Sequence, residues 1–289
     1  MKIALQGGSG VVGRRLTESL GPEHEFVDLP LADLVVIATP LEAAEDAYHK
    51  ARIAAPAARV LDMSGYLKDA GLAVHLLHCR LTGIAFPDGL PVATPACFAA
   101  AVAVPVFYLS RGGFTPRRLM VHGLGGRTVV GKSGDVPSHH ARFASPDGTG
   151  HHAREASFYA GCPVTVSICV ADIDGGILAT TYMELDRRKT AEIGPSPPPI
   201  PPEGCVRYRG IDGDFRPEAD MPPLRSILGT GDCVFRFRPV GAKLEGAGAK
   251  VELIEIQAAL DNVEFPVQLA VDYIRHLEES RHARRPAAR

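Results

Sequence analysis

The 289-residue chain lacks the features that mark several large classes of protein. It carries little net charge, −2 with histidine neutral, whereas a dedicated nucleic-acid binder usually shows a strong basic excess. Its basic tail, Arg281-His282-Ala283-Arg284-Arg285 with Arg289 beyond it, is short; such a terminus reads as a solvated, frayed end. No run approaches the ~18 uninterrupted apolar residues of a membrane span. Met1-Lys2-Ile3-Ala4-Leu5 reads as the start of a strand with no cleavage-site composition, so no secretion leader is expected. The cysteines, at 79, 97, 162, 169, 205 and 233, show no C-x-x-C spacing. Without a secretion leader they read as reduced thiols, not a disulfide framework. The expectation is a cytoplasmic protein with no nucleic-acid and no membrane partner. No internal repeat is present.

What is there is enough for a full-sized core: 46% apolar and 22% charged residues, in a length that allows one large domain or two ordinary ones. Lys2 to Gln6 reads as a strand, and a helix is predicted over Val11 to Leu20. Phe26 to Leu29 is a candidate second strand, and the continuous apolar run Leu34 to Ala38 suits a buried parallel strand. Pro40 opens a helix whose Ala43, Ala44, Ala47 and Ala51 fall at helical spacing, and Arg59 to Met63 is a further strand. This alternation predicts a Rossmann-like doubly wound parallel sheet, hence an α/β protein. Beyond Cys97 comes an Ala/Val-rich helix to Leu109, with Pro105 predicting a kink. Strand candidates follow at Leu119–Val121, Val164–Val170, Ile177–Leu185, Cys233–Arg238 and Val251–Leu260, and a helix near Pro266–Glu279 ends the pattern. The last strand alternates apolar and polar residues, as in an α+β domain with a mixed or antiparallel sheet. The expected division is residues 1–97 with 262–289 as the nucleotide-binding domain, and 98–261 as an α+β catalytic and oligomerisation domain. Residues 194–202, rich in proline, read as a stiff surface connection.

Gly7, Gly10 and Gly13 stand in G-x-x-G-x-x-G between the first strand and the first helix. Glycines there let the backbone approach a pyrophosphate, which sits on the positive end of the helix. The loop Gly7, Gly8, Ser9, Gly10, Val11, Val12 and Gly13 is therefore the candidate cofactor cradle. Asp28 lies about 20 residues on, the spacing of a ribose-binding carboxylate, though it also reads as the end of a strand. The doublets His139-His140 and His151-His152 have no nearby cysteine or carboxylate spacing to complete a zinc set, so no metal site is expected.

Several segments, in order, resemble N-acetyl-gamma-glutamyl-phosphate reductase within the broader semialdehyde dehydrogenase superfamily. Besides the glycine loop they are Asp33-Leu34-Val35-Val36-Ile37-Ala38-Thr39-Pro40, Val60-Leu61-Asp62-Met63-Ser64, and Ala93-Thr94-Pro95-Ala96-Cys97-Phe98, which is similar to the family's "N-P-G-C-Y" turn. Gly150-His151-His152-Ala153-Arg154-Glu155 resembles "H-R-H-T-P-E", Gly175 to Tyr182 resembles "R-G-I-L-A-T-x-Y", and Leu260-Asp261-Asn262-Val263 resembles "I-D-N-L". The resemblance implies a nucleophilic Cys97, a general acid/base His152, and Glu155 to orient His152 or touch substrate. It implies NADP or NAD binding with help from Thr39, Pro40, Ser64 and Asn262. It further implies a homodimer or homotetramer, because the relatives pair through their second domain's sheet. Thiolate suits such chemistry because it is both a strong nucleophile and a good leaving group. An imidazole titrates near neutrality. Arg127, Lys132, Ser133 and Arg154 are candidate contacts to a small-molecule or carrier-bound acyl substrate.

The chain also departs from that family. Between Gly13 and Leu34 it is shorter, and no Ser-Arg pair follows the second strand, so the choice between NAD and NADP does not carry over. Thr94 and Ala96 replace an asparagine and a glycine in the nucleophile turn. Lys132-Ser133-Gly134 is not followed by the family's glycine-rich stretch, and no lysine follows Asn262. Two alternatives to an acyl reductase therefore stay open: a redox-inactive Cys–His acyltransferase or hydrolase, and a non-catalytic relative.

Overall fold

The structure is a computed structural model, and it describes residues 1–87, 89–129, 141–145, 150–186, 205–209, 215–218, 221–240 and 253–284. The chain divides into two compact units, Met1–Pro95 with Pro266–Arg289, and Ala96–Phe265.

The first unit holds β1 (Lys2–Gln6), α1 (Val11–Leu20), β2 (Glu25–Phe26), β3 (Leu34–Ile37), α2 (Leu41–Ala54), β4 (Arg59–Asp62), α3 (Tyr66–Asp69), β5 (Val74–His75), α4 (Leu76–Thr82) and β6 (Val92–Ala93). The strands form one parallel sheet in the order β2-β1-β3-β4-β6-β5. All four residues of β3 are buried. Val35, Ile37 and Val60 share a core cluster with Ala44, Ala47 and Ala51 of α2, whose short side chains let that helix lie close to the sheet. β2 covers two residues where the apolar run predicted Phe26 to Leu29. The chain turns at Asp28, whose carbonyl accepts from Leu31 N–H, and Pro30 has no N–H to extend a ladder. β1 has β2 on one side and β3 on the other, so the strand order reverses there, and the loop leaving β1 sits at a topological switch point.

The second unit holds α5 (Cys97–Arg111), β7 (Pro116–Gly125), β8 (Ala141–Ser145), α6 (His151–Ala160), β9 (Val164–Ala171), β10 (Ile177–Leu185), β11 (Cys205–Arg209), β12 (Phe215–Glu218), β13 (Asp232–Pro239) and β14 (Leu253–Leu260). Its sheet runs β12-β11-β13-β14-β10-β7-β9-β8; β7 and β9 are parallel and the other neighbours antiparallel. The fold class is thus α/β, a doubly wound parallel sheet with a second unit on a mixed sheet. β10 alternates, with Ile177, Ala179, Thr181, Met183 and Leu185 buried. α5 packs on β10 and β14 and runs through Pro105 to Arg111. The register aligns Gly123, Ala179 and Ala258 across three strands of the sheet. α7 (Glu264–Arg284) starts where Asp261 accepts the N–H groups of Val263 and Glu264 at 2.8 and 3.0 Å. No described helix is long and apolar enough to cross a membrane.

Candidate active site

The loop between β1 and α1 requires glycine at position 7, and the first turn of α1 requires it at position 13. Gly7 has φ +88°, and a Cβ there would stand 2.4 Å from the Ala38 carbonyl oxygen. A Cβ on Gly13 would stand 2.3 Å from the Gly7 oxygen. Gly10 N–H donates to that oxygen at 2.9 Å, closing the turn. No side chain caps α1, and its first turn holds no acid, which suits an anion at its N-terminal amides. Thr39, just past β3, has a buried Oγ1 with no hydrogen-bond partner among the described residues. A glycine cradle, an uncapped helix start and an orphaned hydroxyl at a switch point fit a dinucleotide pyrophosphate. Ser64, by contrast, is used internally. Its N–H and Oγ donate to Asp62 Oδ1, and its Oγ accepts from Tyr66 N–H.

Past β6, Thr94 is held on both backbone groups. Its N–H donates to the Asp62 carbonyl at 2.9 Å, and Lys68 Nζ donates to its carbonyl oxygen. Next to Lys68 is His75. Burial first, then the charges of Lys68 and His78, push its imidazole down to about 4.

Cys97 is the first residue of α5, half-buried and in no disulfide. That helix also starts without a capping side chain or an acid in its first turn. Its positive end favours an anionic sulfur. Both sequence neighbours of Cys97 are tied to α6. Ala96 N–H donates to the two carboxylate oxygens of Glu155, at 3.2 and 3.1 Å. The Phe98 ring meets the His152 ring edge to face, with centroids 5.4 Å apart. Glu155 is buried and also accepts from the Tyr159 hydroxyl at 3.3 Å. The second unit thus brings the thiol residue, His152 and Glu155 to the paired N-terminal ends of two helices.

The other predicted contacts are more scattered. Asn262 belongs to the second unit. Its Oδ1 accepts from Thr128 Oγ1 at 2.8 Å and Gly176 N–H at 2.9 Å, fixing two loops. Arg127 pairs with Asp172. Arg154 is exposed on α6. Lys132, Ser133, His139, His140 and the proline-rich 194–202 lie outside the described residues. Among the described residues, no group of three or more His, Cys, Asp or Glu is placed to hold a metal ion. The sequence reading missed Lys68, Gly123 and Tyr159. Gly123 alone left a signal, as a glycine inside a strand pattern.

No protein-family model matches the sequence, and no curated protein matches it. Solved structures do match its fold. A probable aspartate-semialdehyde dehydrogenase from Pseudomonas aeruginosa is 13% identical, with 98% of this chain and 99% of that one covered at a TM-score of 0.64. Aspartate semialdehyde dehydrogenase II from Vibrio cholerae is 15% identical, covering 95% and 98% at 0.66. The Francisella tularensis aspartate semialdehyde dehydrogenase is 11% identical, covering 95% and 100% at 0.63. These likenesses lend no support to N-acetyl-gamma-glutamyl-phosphate reductase in particular; what the chain shares with them, over nearly its whole length, is the fold of the semialdehyde dehydrogenases.

Proposed function

We propose that the protein reduces an activated acyl group to an aldehyde with a nicotinamide cofactor, through a thioester on Cys97. The observation that carries this reading is the double tie between the Cys97 turn and α6, from Ala96 to Glu155 and from Phe98 to His152. Cys97 Sγ attacks the acyl carbon of an acyl phosphate. The bond to the phosphate oxygen breaks, and phosphate leaves with the electron pair. The nicotinamide, when bound, supplies the hydride that reduces the thioester carbon. The resulting tetrahedral oxyanion collapses, breaking the carbon–sulfur bond and returning the thiolate while the aldehyde departs. His152 takes the thiol proton at the start and is the acid that steadies the oxyanion. Uncapped amides at the start of α5 are donors for the same charge. Glycines 7, 10 and 13 with Thr39 would hold the pyrophosphate.

The products to test first are aspartate semialdehyde, named by the structural neighbours, and N-acetyl-gamma-glutamate semialdehyde. A carrier or CoA thioester is the other donor class. Homodimers or homotetramers through the open face of the second sheet, where Met120 and Leu178 are exposed, complete the proposal. Intact-mass analysis across acyl phosphates and thioesters tests the chemistry. An acyl adduct on Cys97, absent in Cys97→Ser, is expected; no adduct with any donor would reject it. Saturable NADH or NADPH binding, lost in Gly10→Trp, is the companion result.

One observation favours a second reading, a Cys–His acyltransferase or hydrolase. The sheet ends at a two-residue β2, which leaves little structure for the adenosine half of a dinucleotide. Acylation of Cys97 without any cofactor binding would select it.

A further inference from the structure

We propose that Phe98 is a positioning residue for His152, held in a slot that Gly123 and Gly125 leave in β7. The inference rests on the Cys97–His152 reading above and adds the means by which the imidazole is fixed. Phe98 is 1% exposed. Its ring stands edge to face with His152, the planes at 80°. It also fills the space that a side chain at Gly123 of β7 would take. A Cβ on Gly123 would lie 2.3 Å from Phe98 Cε1 and 2.7 Å from Cδ1, and one on Gly125 would lie 3.3 Å from Cζ. Neither glycine has a positive φ. Space is therefore what requires them, not backbone conformation. Such glycines weaken a strand unless something needs the room; at Gly123 the Phe98 ring needs it, and at Gly125 the Val129 side chain, 2.7 Å from that Cβ, needs it first.

The slot leaves the ring little freedom to turn aside. A ring that cannot move keeps one orientation toward His152. The imidazole also meets the His151 ring, with centroids 4.0 Å apart at 38°, so two rings contact it. Phe98 also follows Cys97 directly in the chain. The same ring therefore registers the thiol's backbone against the sheet and sets the direction of the imidazole. The neighbouring sheet positions Ala179 and Ala258 are small as well, so no side chain there crowds the helix start.

The test is iodoacetamide alkylation of Cys97 in the full chain, located by peptide mass spectrometry, from about pH 5 to 9, the range in which an imidazole titrates. Wild type is compared with Phe98→Leu, Gly123→Ala, His152→Ala and Leu109→Ala, the last a buried position near the far end of α5. Wild type should stay reactive below neutral pH, and His152→Ala should abolish that acidic limb. Phe98→Leu and Gly123→Ala should each lower it about tenfold, as expected for a misplaced catalytic group. Leu109→Ala should lower thermal stability and leave the profile unchanged, separating positioning from mere packing. If His152→Ala alters the profile while Phe98→Leu and Gly123→Ala do not, the positioning role is overturned and the Cys97–His152 pairing stands. If His152→Ala leaves the profile unaltered, the pairing fails and takes the inference with it. Should Gly123→Ala not fold, Phe98→Leu decides alone.

Discussion

Glu155 holds the backbone amide of Ala96 with both carboxylate oxygens, from a position only 7% exposed. That amide lies immediately before the thiol residue, on a helix that has no side-chain cap of its own. Removing the carboxylate leaves a part-buried N–H without that acceptor, which costs up to about 1–3 kcal/mol. Glu155→Ala should therefore be less stable in urea and should acylate Cys97 at least about tenfold more slowly, because the turn that aims the sulfur is released. Glu155→Gln keeps one acceptor oxygen and should fall between the two. Equal acylation rates for Ala, Gln and wild type would show that the carboxylate does not set the turn.

His75 makes the fold sensitive to mild acid. Burial, with Lys68 and His78 adding to it, lowers its pKa from 6.5 to about 4 in the native state. Between those values the unfolded chain carries a proton that the folded chain refuses. Stability is therefore fully present above 6.5, is lost as pH falls toward 4, and loses nothing more from this group below that. Glu278 and Asp33, both with lowered pKa values, also weaken the fold in acid. The difference between wild type and His75→Gln isolates the histidine. Urea midpoints measured between pH 7 and 4.5 should fall more steeply for wild type, and parallel slopes would contradict the burial argument.

The parallel sheet is legible in the sequence because β3 is a continuous apolar run, strand and helix patterns alternate, and a glycine loop stands between β1 and α1. β10 falls where the sequence nominated a strand, Ile177–Leu185, and its period-2 burial is seen in the fold. β5 and β6 have two residues each, too few to show any period. The link between Glu155 and Ala96 spans 59 residues and obeys no local rule. Gly123 and Gly125 look like weak points of a strand until the ring beside them is known. Motif order can nominate Cys97 and His152, but what holds them in place is tertiary.

Thr39 offers a substitution whose two effects have opposite expected signs. Its Oγ1 is buried without a partner among the described residues, so the free protein bears a desolvation cost that a ligand hydrogen bond would offset. Thr39→Val should match or exceed wild-type thermal stability and bind NADH or NADPH about tenfold more weakly, the value of one lost hydrogen bond of about 1.4 kcal/mol. Titration calorimetry with both cofactors, beside a thermal melt, checks each half. Tighter or unchanged binding would remove Thr39 from the cofactor site.

Asn262, nominated for cofactor contact, also makes bonds that hold its own unit together. Its Oδ1 accepts both Thr128 Oγ1 and Gly176 N–H. Gly176 cannot readily be re-partnered. It has φ +85°, and a Cβ on it would meet Leu224 and Leu228 side-chain atoms at 2.9 Å, so the turn is boxed in. Asn262→Ala leaves that amide and the Thr128 hydroxyl without an acceptor and should cost about 1–3 kcal/mol. Hydrogen exchange should show it locally, with the Gly176 amide losing protection while amides of α2 in the other unit keep theirs. If protection at Gly176 survives the substitution, the bond is not what holds the turn, and Asn262 returns to being a candidate for cofactor contact alone.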